Sequence, residues 1–312
     1  MNFDRFGLSL AAAATCAAGA HAQSAPASHA EPVITAEDAR ERPEVRFEVR
    51  PRVSHAFRAD FDDTGADVSV TRAGVAAGWS IGVNQRLRLG VSADFESSWY
   101  DFGKSATLPG GGEPLDSAAS IRFGPNIFYA IDERWSVFAG AGPEFSGAYG
   151  ADAGDSFTFG GYVGARYAFS ERFALSFGLQ GRTRLEEDAR LLPLLGIEWQ
   201  ITDDVRLSTE GPGLRLSVRL DDAWSFNVAA AWELREYRLE DDAPIPEGVL
   251  RDSRFVFGAG FDFTPSPWVT LSLFGGVVAW QEYRFDDRDG NELLEDNTDP
   301  TGFIGFSAAF RF

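Results

Sequence analysis

The chain is 312 residues long, with 28 basic side chains against 47 acidic ones and a formal net charge of −19. That balance, with no basic patch along the chain, excludes a nucleic-acid binder held by phosphate contacts. After Ala22 no stretch reaches the roughly 18 consecutive apolar residues of a membrane-spanning helix, and no long segment has clean period-3.6 patterning, so a helical membrane protein is excluded as well.

Residues 1–22 read as a secretory signal peptide: Arg5 near the start, an apolar run from Phe6 to Ala18, and Ala20-His21-Ala22 before Gln23 as an A-x-A cleavage site. The one cysteine, Cys16, lies inside this run, so the mature chain is expected to carry no thiol, as suits an oxidising periplasm. Residues 23–43 are rich in Ala, Pro, Ser, Glu and Arg and read as a flexible periplasmic linker. Within it, Glu31-Pro32-Val33-Ile34-Thr35-Ala36 resembles the energy-coupling box of active outer-membrane receptors, but too little chain precedes the first strand to form a plug domain.

From residue 44 to 312 the pattern has period 2. Leu87, Leu89, Val91, Ala93 and Phe95 alternate with Arg88, Gly90, Ser92, Asp94 and Glu96. The same frame runs through Phe157–Tyr167, Phe173–Leu179 and Phe255–Phe263, which places Phe177 outward and Gly178 inward. Tight polar turns at Asn84-Gln85, Asp132-Glu133, Ser170-Glu171, Thr202-Asp203-Asp204, Asp221-Asp222 and Pro265-Ser266 alternate with longer links near 58–66, 103–116, 149–155, 186–189, 240–250 and 286–298. Short turns on one rim and long loops on the other predict an all-β fold, a transmembrane antiparallel up-and-down β-barrel of about 14 strands. Twelve is the fallback count.

The strand number depends on residues 205–220, where Gly211-Pro212-Gly213 separates two short alternating runs; a low hairpin there keeps the count even. A soluble β-sandwich also alternates, but its strands are shorter. Trp99, Trp135, Tyr167, Phe169, Trp199 and Trp224 fall near strand ends on the outward face, as interfacial girdles require. Pro125, Pro143 and Pro193 lie within strands and cannot donate to a ladder. In the hairpin around Asp132, Pro125 would face Ala141 and Pro143 would face Phe123, and a pair of bulges is expected there rather than a lateral opening.

The inward frame is charged. Its arginines are Arg46, Arg50, Arg52, Arg72, Arg88, Arg122, Arg166, Arg182, Arg184, Arg206, Arg215, Arg219, Arg235, Arg254 and Arg284; its carboxylates include Glu48, Asp94, Glu96, Glu144, Glu198, Glu210, Glu233, Asp262 and Glu282. The candidate lumen-lining set is Arg88, Asp94, Glu96, Arg122, Glu144, Arg166, Arg182, Glu198, Arg215, Glu233, Arg254 and Asp262. Guanidinium forks in a polar bore favour anionic or zwitterionic solutes. The same residues could instead form a web of Arg–carboxylate pairs that stiffens or blocks a narrow barrel.

The most acidic segment, Asp286–Asp299, is expected to be a loop and fails the EF-hand spacing: with Gly290 at the turn position, Phe285 falls on the first ligand. Solvation or loose divalent-ion binding near lipopolysaccharide is the expectation, with no metal site and no cofactor. His21 and His29 precede the strands and His55 shares the outward frame of Val49 and Val53, so no enzyme is expected.

The last strand alternates Ile304, Phe306, Ala308 and Phe310 against Gly305, Ser307, Ala309 and Arg311, and ends on Phe312. This terminal aromatic resembles the signal read by the bacterial barrel-assembly machinery, and with it the chain resembles outer-membrane barrels as a class. The stretch Leu191–Trp199, Gly211-Pro212-Gly213 and Tyr237-Arg238-Leu239 resembles a porin-like family of uncharacterised bacterial outer-membrane barrels over about the last two-fifths of the chain. These resemblances imply the cell outer membrane as the location, with lipid, lipopolysaccharide and the assembly machinery as partners. The function expected is a passive, porin-like channel for small polar or anionic solutes. The alternative is a structural or adhesion-type barrel with a plugged lumen and acidic surface loops.

Overall fold

The computed structural model describes residues 45–312; the signal, the linker, Cys16 and the energy-coupling resemblance lie outside them. Fifteen strands form one closed antiparallel sheet: β1 (Val45–Asp60), β2 (Asp67–Gly82), β3 (Leu87–Gly103), β4 (Ser117–Ala130), β5 (Trp135–Ala148), β6 (Phe157–Ser170), β7 (Phe173–Arg184), β8 (Glu187–Gln200), β9 (Val205–Glu210), β10 (Gly213–Arg219), β11 (Trp224–Arg238), β12 (Val249–Ser266), β13 (Val269–Asp286), β14 (Glu292–Thr298) and β15 (Thr301–Arg311). β14 and β15 pair end to end along the same side of β13, parted at Asp299-Pro300 where proline has no N–H to give, so they form one stave. The barrel therefore has fourteen staves. It closes where β1 meets β15, with Phe47 and Phe312 exchanging backbone hydrogen bonds at 3.1 and 2.8 Å.

Alternation builds the wall. Phe95, Ile121, Phe123, Phe159, Val163, Phe177, Leu273 and Phe306 project outward and are exposed. At the rim bearing the tight turns, rings meet in pairs: Trp135 and Tyr167 at 4.7 Å, Phe173 and Trp199 at 6.0 Å, Trp224 and Phe263 at 4.7 Å. Towards the loop rim Trp232 stacks on Trp280 at 4.9 Å. The turns are capped by their own side chains: Asn84 Oδ1 accepts from the amides of Arg86 and Leu87, Asp132 Oδ1 from Arg134 and Trp135, and Asp221 Oδ1 from Ala223 and Trp224. The last tight turn falls at Pro267-Trp268, just beyond the expected Pro265-Ser266, because a bulge lies between Phe263 and Ser266.

Residues 205–220 form the low hairpin, β9 and β10 turning at Gly211-Pro212. Three expectations are corrected. First, Pro125 and Pro143 do interrupt the β4–β5 ladder, but pairing runs from Arg122↔Glu144 to Asn126↔Gly140 in one register, so no residue bulges out. The strands stay in contact there, since a Cβ on Gly142 would lie 1.8 Å from the Phe123 carbonyl oxygen. Second, the acidic segment is largely strand. Only residues 287–291 turn, with Asp287 capping them, while Asp296 is buried and accepts the amides of Asp63 and Thr64. Third, Glu282 and Arg284 do not face inward. One extra residue at Ala279 separates Phe255↔Trp280 from Val256↔Val278 and reverses the frame, turning Gln281, Tyr283 and Phe285 into the bore instead.

The wall is not uniform. β8 pairs with β9 only at Glu198, Trp199 and Gln200, while β10 carries β11 no further than Ala231. Above that level β11 swings inward, and Arg238 bridges Gly147 of β5. The tip of the β7–β8 hairpin lies over the outer face of β11–β13, where Glu186 pairs with Arg238 and Glu187 with Arg251 and Arg284.

Candidate lumenal site

Three layers fill the bore. At the loop rim an apolar stopper forms from Phe61, Tyr100, Phe102, Tyr237, Tyr283 and Phe285, all essentially buried. Loop residues Leu108, Leu115 and Ile245 dip into it and are buried too. The turn at Gly110 requires φ of +80°, and a side chain there would meet Pro244 of the facing loop.

Beneath the stopper lies a charge web. Arg235 Nε donates to Glu96 Oε1 at 2.8 Å, and its Nη1 to Glu233 Oε2 at 2.8 Å. Arg254 Nε donates to the same Glu233 oxygen at 2.7 Å. Arg52 reaches Asp94 at 2.8 Å and Glu96 at 3.2 Å. Arg72 pairs with Asp252, which also accepts from Tyr100 at 2.9 Å and Gln281 at 2.8 Å. Four guanidiniums thus face four carboxylates, Asp94, Glu96, Glu233 and Asp252. The neutral total and mutual hydrogen bonds are what permit such burial, because an unpaired buried charge costs several kcal/mol. β3 and β11 stand on opposite walls, six strand steps apart by the shorter way round, so the Arg235–Glu96 pair spans the bore.

A second cluster sits beside the inward swing of β11. Arg122 bonds Glu144 at 3.2 Å, and Arg182 lies 3.7 Å from both Glu144 and Glu236. Glu236 also takes Arg184 at 2.7 Å and Arg251 at 3.2 Å, and Arg251 pairs with the buried Asp286. Toward the turn rim Arg46, Arg50, Arg88, Arg166 and Arg206 are half-buried, while Arg215, Asn227 and Asp262 are buried. Arg166 bonds Glu198 at 3.0 Å; Arg215 bonds Asp262 at 3.0 Å and Asn227 at 3.1 Å; Arg88 stands on the inner face of β3. Arg46, Arg50, Arg206 and Arg311 share this level with Glu48, so cations outnumber acids there.

All twelve candidate residues therefore point inward, but they divide among these levels rather than forming one constriction. Asp252 was absent from the candidate set although it shares the frame of Arg254 and Asp262. Glu236 and Arg251 belong to the outward frame; Glu236 is buried against β5, where Ser146 Oγ donates to its carbonyl at 2.6 Å, and both are covered by the overlap of the β7–β8 tip.

The closed sheet, the apolar belt, the aromatic girdles and the charged inner face define a β-barrel of the bacterial outer-membrane type. No protein-family model matches the chain, and no curated protein does. Solved structures of similar outline include a Pseudomonas aeruginosa FadL homologue, 11% identical with TM-score 0.47, covering 85% of this chain and 90% of that one. The P. putida toluene transporter TodX is 10% identical with TM-score 0.44, covering 86% and 89%. The KdgM porin in complex with disordered oligogalacturonate is 7% identical with TM-score 0.33, covering 84% and 99%.

Proposed function

We propose that this barrel is a gated outer-membrane channel for small polar or anionic solutes, with its tight turns in the periplasm and its loops outside, facing lipopolysaccharide. The observation that carries the reading is the excess of arginine at the turn-rim level, where half-buried guanidiniums in a polar cavity attract anions. Conduction then requires the stopper and the charge web to move. A non-enzymatic role belongs to the same proposal: His55, the only histidine among the described residues, faces outward and bonds Thr71 Oγ1 at 2.9 Å.

A second reading, a structural barrel with a filled lumen, is favoured by the direct Arg235–Glu96 contact. Planar-bilayer recording separates the two. The parent is compared with a variant carrying Glu96→Gln, Arg235→Gln and a short Gly-Ser turn in place of residues 104–116. Anion-selective conductance in the variant, above a quiet parent, fits the channel. A folded variant that stays silent in chloride and phosphate overturns the channel and leaves the structural barrel.

A further inference from the structure

The wall is split between β8 and β11. No strand among the described residues pairs with the free edge of β8 from Glu187 to Ile197. The split is closed below by the β8–β9 pairs and above by the ion pairs of the β7–β8 tip, so it is a window rather than an open seam.

The edge is suited to being open. Ile197 N–H bonds Thr209 Oγ1 and Gln200 N–H bonds the Arg172 carbonyl on the opposite side. Backbone amides alternate along a strand, so the odd-numbered amides of β8 face the window. Pro193 is one of these, and its missing N–H removes a donor that would have no partner there. In hydrocarbon each unpaired group costs several kcal/mol, so the absence of a donor at Pro193 lowers the cost of leaving this edge without a neighbouring strand. Burial agrees. Leu192 belongs to the inward frame yet is 37% exposed, whereas Leu194, one step lower on the same face, is 8% exposed.

The lining is aliphatic. Leu191 and Leu195 flank the window on β8, at 67% and 74% exposure, with Trp232 and Leu234 across it on β11. Behind it Leu194 packs with Phe128, Phe138 and Tyr162. This surface is continuous with the outward apolar belt, which is the face a barrel gives to lipid tails.

We propose that the split is a lateral port into the barrel interior and that its occupant is an alkyl chain from the surrounding membrane, entering past Leu192 to the Leu194 cluster. The port stands apart from axial conduction, so failure of one reading leaves the other intact. Single cysteines at Leu192, Phe177 and Gly78, in a Cys16→Ser background and labelled with bimane, test it in vesicles of chain-brominated phosphatidylcholine. Phe177 is lipid-facing, and Gly78 is on the inner face in open space. Each variant is first checked for heat-modifiable migration as a folded barrel. The expected result is a loss of fluorescence at Leu192→Cys comparable to that at Phe177→Cys, with little loss at Gly78→Cys. Quenching at Leu192→Cys no greater than at Gly78→Cys overturns the proposal, as it would if a partner strand covered the edge. If Leu192→Cys does not fold, Leu194→Cys carries the same expectation.

Discussion

Arg235 of β11 and Glu96 of β3 meet across the bore at 2.8 Å, both almost wholly shielded from solvent. Removing one partner leaves the other charged and buried. Glu96→Ala is therefore expected to cost about 3–5 kcal/mol. Glu96→Leu combined with Arg235→Met keeps the remaining web neutral and should recover most of that loss. Urea titration in liposomes measures both; equal stability of Glu96→Ala and the parent would show that the pair carries no load.

Sidedness is tested at Phe177, whose outward ring lies in the apolar belt. Phe177→Arg should lower folding stability in liposomes by about 2–4 kcal/mol. Gly178→Ser, which the alternating frame alone would mark as mild, is expected to be damaging too, because a Cβ there would lie 2.2 Å from the Val163 carbonyl oxygen. The mild inner substitution is Gly78→Ser, which meets nothing within 4 Å.

Phe312 closes the seam against Phe47, with backbone bonds in both directions and rings 6.0 Å apart. Its deletion should leave secretion intact and slow barrel insertion, seen as a smaller heat-modifiable fraction on unboiled gels. A parental folded fraction would show that neither the seam nor an assembly signal depends on it.

Asp296 holds the β1–β2 turn through the amides of Asp63 and Thr64 and the Thr64 hydroxyl, at 3.0 to 3.3 Å. Asp296→Ala should destabilise by about 1–3 kcal/mol. Protease nicking near residue 63 should rise along with it. Deletion of residues 286–298 should abolish folding rather than merely trim a surface loop, since it removes the upper half of a stave.

At the turn rim the amides of Trp135 and Arg134 hold the Asp132 carboxyl below its ordinary pKa. A depressed carboxylate contributes stability above its unfolded pKa and loses it as pH falls through the folded value. The difference in urea midpoint between the parent and Asp132→Ala should accordingly shrink as pH is lowered across the carboxylate range. A constant difference would assign the effect of Asp132 to packing alone.

Much of this architecture was legible beforehand because period-2 alternation and turn chemistry are local. Leu87–Phe95 declares its faces, and Asp132 or Asp221 declares a turn, without knowledge of any neighbour. The inner charges followed from the same frame. What escaped was non-local. Glu236 and Arg251 read as lipid-facing until the β7–β8 tip folds over them, and no spacing in either strand encodes that overlap. Pro193 looked like a defect in a paired strand, although the amide it lacks belongs to an edge with no neighbour. The short β9–β10 hairpin was visible as Gly211-Pro212-Gly213, but the opening it leaves above itself depends on how far β8 and β11 outrun it.

The unpaired residue at Ala279 sets a parity rule for the loop-side half of β13. With it in place, Gln281, Tyr283 and Phe285 complete the stopper and the Asp252 cluster, while Glu282 stays on the outer face and Arg284 meets Glu187 of the overlapping tip. Inserting two residues between Val278 and Trp280 would preserve that allocation, whereas inserting one, or deleting Ala279, would exchange the two sets wholesale. Length drift in this stave is thus constrained to even steps, and the stopper and the hairpin clasp are bound to change together.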